Sequence, residues 1–163
     1  MEFGALQCVP KNPDCSQCPL NHSCAALQKN KVTLLPVKLG KTKVVNRFLN
    51  YLIYIDINQN TLIQKRIGSG IWQNLFEFPN IETQNTVDLS YIQSNIESPS
   101  SVKSILELHD SVLIHKLSHQ KLHIKFWQIN LNEPLRDGIS IDDVKKLPLP
   151  VVLSNFMNNY KPI

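Results

Sequence analysis

Cys8, Cys15, Cys18 and Cys24 are the only cysteines among the chain's 163 residues. Their C-x6-C-x2-C-x5-C spacing gathers four thiols into one short loop, and thiolates grouped this tightly point to a metal centre. Two disulfides are the competing chemistry. Met1 to Leu6 does not have the pattern of a secretory signal, and disulfides belong mainly to oxidising compartments. Zinc accepts four sulfurs tetrahedrally, though its sites usually present two paired-cysteine knuckles where only Cys15 and Cys18 make one here. A four-iron cluster takes one thiolate per iron and tolerates uneven spacing. From the residues alone, zinc and an iron–sulfur cluster both stay open.

A loop that closes on metal must be held by its flanks. Pro10, Pro13 and Pro19 stiffen it and lower the entropy lost on closure. Residues 1–6 carry apolar side chains at 1, 3, 5 and 6 and read as the last turn of a helix running into the loop. So short a helix is not stable alone, so the chain is expected to begin inside a larger helical domain. No acidic residue occurs from Cys15 to Ile55, while Lys29, Lys31, Lys38, Lys41, Lys43 and Arg47 all fall there. Such a run suits either a solvated linker or a strap that tracks phosphates. Lys11, between the first two cysteines, is a further candidate phosphate contact.

The remainder is predicted to form one folded domain. The 42% hydrophobic content supports a core, the net charge of +4 is modest, and no apolar run is long enough to span a bilayer. Residues 48–56 read as a strand, with 61–66 as its hairpin partner across a turn at 58–60. A short helix is predicted over 86–95, strands over 110–116 and 122–131, and a closing helix from Pro150 with Val152, Leu153, Phe156, Met157 and Tyr160 on its apolar face. Trp72 and Phe78 are expected in the core. His115, His119 and His123 have the i, i+4 spacing of a helical zinc site, but Leu122, Ile124 and Phe126 alternate as in a strand, so that spacing is read as coincidental. The fold class is an α/β mixed-sheet sandwich behind an N-terminal four-cysteine loop.

The cysteine spacing, with MEFGALQC before it and Cys18-Pro19-Leu20 within it, resembles the cluster loop that closes the catalytic domain of helix-hairpin-helix DNA glycosylases. The segment KRIGSGIWQNLFEFP resembles the core of the Nudix-like C-terminal domain of MutY-type adenine DNA glycosylases, in which loop, basic connector and domain occur in this order. The resemblance implies three parts. Residues 1–27 would be the end of the glycosylase domain with a 4Fe–4S loop (zinc being the alternative), 28–44 a basic connector, and 45–163 a Nudix-like domain that recognises 8-oxoguanine. It also implies double-stranded DNA carrying 8-oxoguanine:adenine mispairs as partner, a replication clamp or mismatch-repair protein as a further one, and a monomer working in the bacterial cytoplasm. A working Nudix hydrolase needs a helix with several glutamates to hold magnesium. Glu82, Asp88 and Glu97 are too scattered for that, so binding without hydrolysis is expected.

Within that resemblance, the turn Leu117-Ser118-His119 corresponds to a Phe-Ser-His turn that meets the oxidised guanine. Ser118 and His119 match, while Leu117 replaces the aromatic residue and could still wedge a base step; Lys116 precedes them. Oxidation turns guanine N7 into a donor and adds an acceptor at C8, and a hydroxyl can pair with either. The paired carboxylates that hydrolyse the adenine glycosidic bond lie upstream of the cluster loop in the family, and Glu2 is not one of them. The resemblance therefore implies a chain that cannot excise adenine alone.

Overall fold

The computed structural model describes residues 2–37, 40, 43–96, 99–109 and 111–162. The expectations attached to Met1, Lys38, Lys41, Glu97 and Asp110 lie outside them. The chain divides into two compact units, one ending at Lys43 and the other beginning at Val44.

The first unit holds short helical pieces: α1 (Glu2–Leu6), a 3-10 turn at Asn21–Ser23, α2 (Ala25–Gln28) and a second 3-10 turn at Val32–Leu34. None of its described residues is buried. The helical turn expected before Cys8 is present, and its last turn is closed by the amides of Gln7 and Cys8, which both donate to the Phe3 carbonyl (2.9 and 3.0 Å).

The second unit is built on β1 (Val45–Ile55) and β8 (Gln120–Leu131), two long parallel strands paired from Val45↔Gln120 to Ile55↔Asn130. The other edge of β1 takes β5 (Asn80–Thr83) antiparallel. The free edge of β8 is shared by β7 (Leu113–Lys116) at its start and β6 (Val102–Glu107) at its end. Two small ribbons flank this sheet: β2 (Asn60–Thr61) with β9 (Ile139–Ser140), and β3 (Gln64–Lys65) with β4 (Phe76–Glu77).

From Leu49 to Ile55 every residue of β1 is buried, because a central strand has helices on both faces and reads as a continuous apolar run. Leu49, Tyr51, Ile53 and Ile55 share one face with Leu122, Ile124 and Phe126, under α5 (Val151–Asn159). Leu52 and Tyr54 share the other with Trp127 and Ile129, beneath Ile92 of α3 (Leu89–Asn95) and its C-cap Ile96. A one-turn helix, α4 (Ile141–Val144), capped by Ser140, adds Val144 to the first face. Trp72 packs against that face and Phe78 is fully buried within it. This is the mixed-sheet sandwich expected from the sequence.

Three local expectations are corrected. Residues 61–66 do not pair with β1 as a hairpin: both its edges are already filled, and the segment splits between β2 and β3. The turn itself exists, because Asp56 Oδ1 accepts from the amides of Asn58 and Asn60 (both 2.8 Å). The helix begins at Leu89, since Asp88 rather than Thr86 caps it through the Tyr91 amide (3.0 Å). Arg47 does not belong to the free basic run, because it makes two 2.6 Å bonds to the Glu82 carboxylate. Strand β6 went unread because a register shift between Val102 and Ser104 breaks its alternation.

Candidate metal centre and nucleic-acid interface

The cysteine loop is tied at each bend. Gln7 Nε2 donates to the Asp14 carbonyl (2.9 Å), fixing the segment that leaves Cys8 to the one that brings in Cys15. Asp14 Oδ1 accepts from Ser16 Oγ (2.6 Å) and from the amides of Ser16 and Gln17 (3.1 and 3.2 Å). The Ser16 hydroxyl and these amides hold the Asp14 carboxyl below its ordinary range. This side-chain turn delivers Cys15 and Cys18, whose Cys18 N–H···O=C Cys15 bond (3.4 Å) closes the short knuckle. The following 3-10 turn ends at Cys24, which is also the N-cap of α2.

All four cysteines line one small cavity, together with Gln7, Pro13, Asp14, Asn21 and Leu27. All four are free thiols, Cys8 exposed and the others half-buried. Desolvation, then the neighbouring Cys24, Cys18 and Cys8, raise the Cys15 thiol above its ordinary value. Among the described residues, however, no three His, Cys, Asp or Glu side chains come close enough together to hold a single ion. A tetrahedral zinc would draw all its sulfurs to about 2.3 Å from one point. Four thiol donors lining one cavity suit a four-iron cluster, which takes one thiolate per iron.

In the second unit, the expected turn is the tip of the β7–β8 hairpin. Lys116 lies opposite Lys121, the Leu117 amide donates to the Gln120 carbonyl (2.8 Å), and Ser118 and His119 form the two-residue tip. The Val45 amide donates to the His119 carbonyl (3.0 Å), which ties the tip to the start of β1. Lys116, Ser118 and His119 are exposed. Neither the Ser118 hydroxyl nor the His119 ring has an intramolecular hydrogen bond among the described residues, so both are open to a ligand. Leu117 is half-buried and packs on the core, which makes it an anchor for the tip. His115 and His123 sit on strands, the first tilted against Trp72 (6.0 Å) and the second stacked on Phe48 (4.5 Å), in keeping with the strand reading of the three histidines. Lys11 is exposed on the cysteine loop.

A buried network within the KRIGSGIWQNLFEFP segment was missed. Arg66 Nη1 bonds both Glu77 oxygens (2.9 and 3.0 Å), and the Tyr51 hydroxyl donates to Glu77 (3.2 Å). Burial, then the Glu77 charge, pushes the Tyr51 hydroxyl far above its usual range, so it stays a donor. The only sequence signal was two opposite charges within one motif. Of the scattered acids, Glu82 is held by Arg47 and Asp88 by the Ser90 hydroxyl and the Tyr91 amide. Among the described residues, no helix is long and apolar enough to cross a membrane.

The sandwich matches the NUDIX domain family over residues 50–159, and the cysteine loop matches the iron–sulfur binding domain of endonuclease III over residues 8–24. The first match covers more than half of the chain, which therefore belongs to the NUDIX domain family. The order of these two parts is that of the C-terminal region of MutY-type adenine DNA glycosylases. The chain is 32% identical over 82% of its length to the adenine DNA glycosylase of Buchnera aphidicola subsp. Baizongia pistaciae. It is 33% identical over 81% of its length to that of Buchnera aphidicola subsp. Schizaphis graminum. It spans 36% of the length of each. Among solved structures, the C-terminal domain of mouse MUTYH in complex with human PCNA superposes with a TM-score of 0.48 at 15% identity, over 69% of this chain and 86% of that one.

Proposed function

We propose that this chain supplies the cluster, the DNA-backbone contacts and the lesion recognition of an adenine DNA glycosylase acting on adenine mispaired with 8-oxoguanine, and that the excision chemistry is performed by residues outside these 163. Cys8, Cys15, Cys18 and Cys24 would hold a 4Fe–4S cluster. When bound, it ties the loop together and carries charge; it does not take part in turnover. The loop then presents Lys11 to phosphate.

The observation that carries the reading is the β7–β8 tip, where the Ser118 hydroxyl, without a hydrogen bond among the described residues, lies exposed beside His119. One hydroxyl can accept from N7–H of 8-oxoguanine or donate to its C8 oxygen, and ordinary guanine offers neither pairing in that arrangement. The acidic groups that would hold magnesium in a NUDIX hydrolase are missing from the sequence, and Glu82 and Asp88 are engaged elsewhere. Both features support a domain that binds without hydrolysing.

The test is binding of the iron-loaded chain to an 8-oxoguanine:adenine duplex and its undamaged twin at one fixed salt. A preference of roughly ten- to a hundred-fold, lost in Ser118→Ala, is expected. Equal binding of both duplexes would remove lesion reading from this chain. Metal analysis finding zinc in place of iron and acid-labile sulfide would replace the cluster.

A further inference from the structure

Lys116 and Lys121 face each other directly across the β7–β8 ladder, one rung from the Leu117–Gln120 pair that bears the tip. Residues opposite on one face of an antiparallel pair stand about 5 Å apart at Cβ, and like charges there repel. Other cations on this sheet are neutralised: Arg47 by Glu82 and Lys125 by Glu107 (2.6 Å each). Arg66, Lys145 and Lys146 also have carboxylate partners. Among the described residues, no carboxylate answers Lys116 or Lys121. The register therefore sets two lysines on one rung, without a carboxylate partner among the described residues, beside a tip whose polar atoms are open to a ligand.

We infer that the Lys116–Lys121 pair is a clamp for phosphates of the DNA duplex, seating the backbone next to the nucleotide that meets Ser118 and His119. This rests on the proposed DNA-binding role and adds the residue pair that fixes register. An anion between the two ammonium groups converts their repulsion into attraction. The pair carries no base information, since phosphate contacts position and base contacts specify. Lys121 is new to the site: it looks like an ordinary strand lysine until its pairing with Lys116 is known. Its neighbours on the same face, Asn46 and His123, bond to each other (Nε2 to Oδ1, 3.1 Å) and leave the lysines unoccupied.

The test measures binding of the full chain to damaged and undamaged duplexes between about 50 and 200 mM salt, the range over which each neutralised phosphate changes affinity about threefold. Lys121→Ala is expected to reduce the slope of log K against log salt by roughly 0.9, and Lys116→Ala/Lys121→Ala by about twice that. Both duplexes should be affected equally, and Lys121→Arg should restore the slope. Melting of Lys121→Ala should be unchanged or raised, because the repulsion is gone. An unchanged slope in the double variant, with folding intact, would overturn the clamp. So would displacement of duplex by inorganic phosphate at matched ionic strength, which would reveal a small-anion site. Ser118→Ala separates the two ideas: it should abolish preference for the damaged duplex and leave the slope alone. If no duplex preference exists yet the lysine effects hold, lesion reading falls and the clamp stands.

Discussion

Asp56 shows how one carboxylate organises a stretch of this chain that has no regular structure. It is 2% exposed, and its Oδ1 takes the amides of Asn58 and Asn60 while its Oδ2 takes that of Leu135 (2.9 Å). Burial alone would raise its pKa, but the amides of Leu135, Asn60 and Asn58 outweigh that and bring it below the ordinary 3.8. A depressed carboxylate pKa means that the folded state releases its proton more readily than the unfolded chain. Its stabilisation is fully present above pH 3.8 and is lost as pH falls through the lower, folded-state value. Asp56→Ala leaves three amides without a partner and should cost about 3 kcal/mol or more in urea unfolding at neutral pH. The wild type should lose more stability than the variant between neutrality and acid pH. Equal acid sensitivity would mean that the carboxylate has no such role. Arg66→Leu is a sterner case, because it strands the buried Glu77 carboxylate with only the Tyr51 hydroxyl; a loss of about 3–5 kcal/mol is expected.

At the level of elements, α5 closes one face of the sheet with Val152, Leu153, Phe156 and Met157. Phe156 stacks on Phe126 of β8 (3.8 Å between centroids, 10° between planes), and the following Tyr160 hydroxyl donates to Gln128 (2.8 Å). Leu153→Ala should lose about 2–5 kcal/mol through the cavity it opens, and Val151→Ala, on the 60% exposed side, about 0.5 kcal/mol or less. Similar losses in chemical denaturation would mean that the helix is not seated as described. This helix was legible in the sequence because its apolar residues recur at helical spacing after a proline. So were β1, whose branched and aromatic residues run nearly unbroken, and β8, where Leu122, Ile124 and Phe126 alternate with polar residues. Their parallel pairing was not legible, because a run of apolar residues says that a strand is buried and not which strand lies beside it. The 61–66 segment misled for that reason: adjacency and a good turn at 58–60 favoured a hairpin, while distant segments at 80–83 and 120–131 had already claimed both edges. The cysteine loop was legible because its spacing is local and matches a known iron–sulfur binding domain, and the turn at 117–119 because it lies between two strands. The pairing of Lys116 with Lys121 depends on register and was not legible.

The whole molecule joins two units that are stabilised in different ways. Every buried residue among those described lies at Leu49 or beyond. Among its described residues, the unit ending at Lys43 has helices of five residues or fewer and no buried side chain, so the hydrophobic effect gives it little to fold around. Its order rests on the Gln7 and Asp14 hydrogen bonds and on whatever the four thiolates hold, and in such a segment metal-binding free energy is folding free energy. The second unit has its own two-faced core and ion-pair network and contains no cysteine. Stripping the metal, or the change Cys18→Ser, should therefore unfold only the first unit. Hydrogen exchange should then become fast across residues 2–28, while amides of β1 and β8 keep their protection and the main melting transition does not move. Loss of protection in β1 and β8 on metal removal would show that the NUDIX domain depends on the cysteine loop for its stability, and the division into separately stabilised units would be wrong.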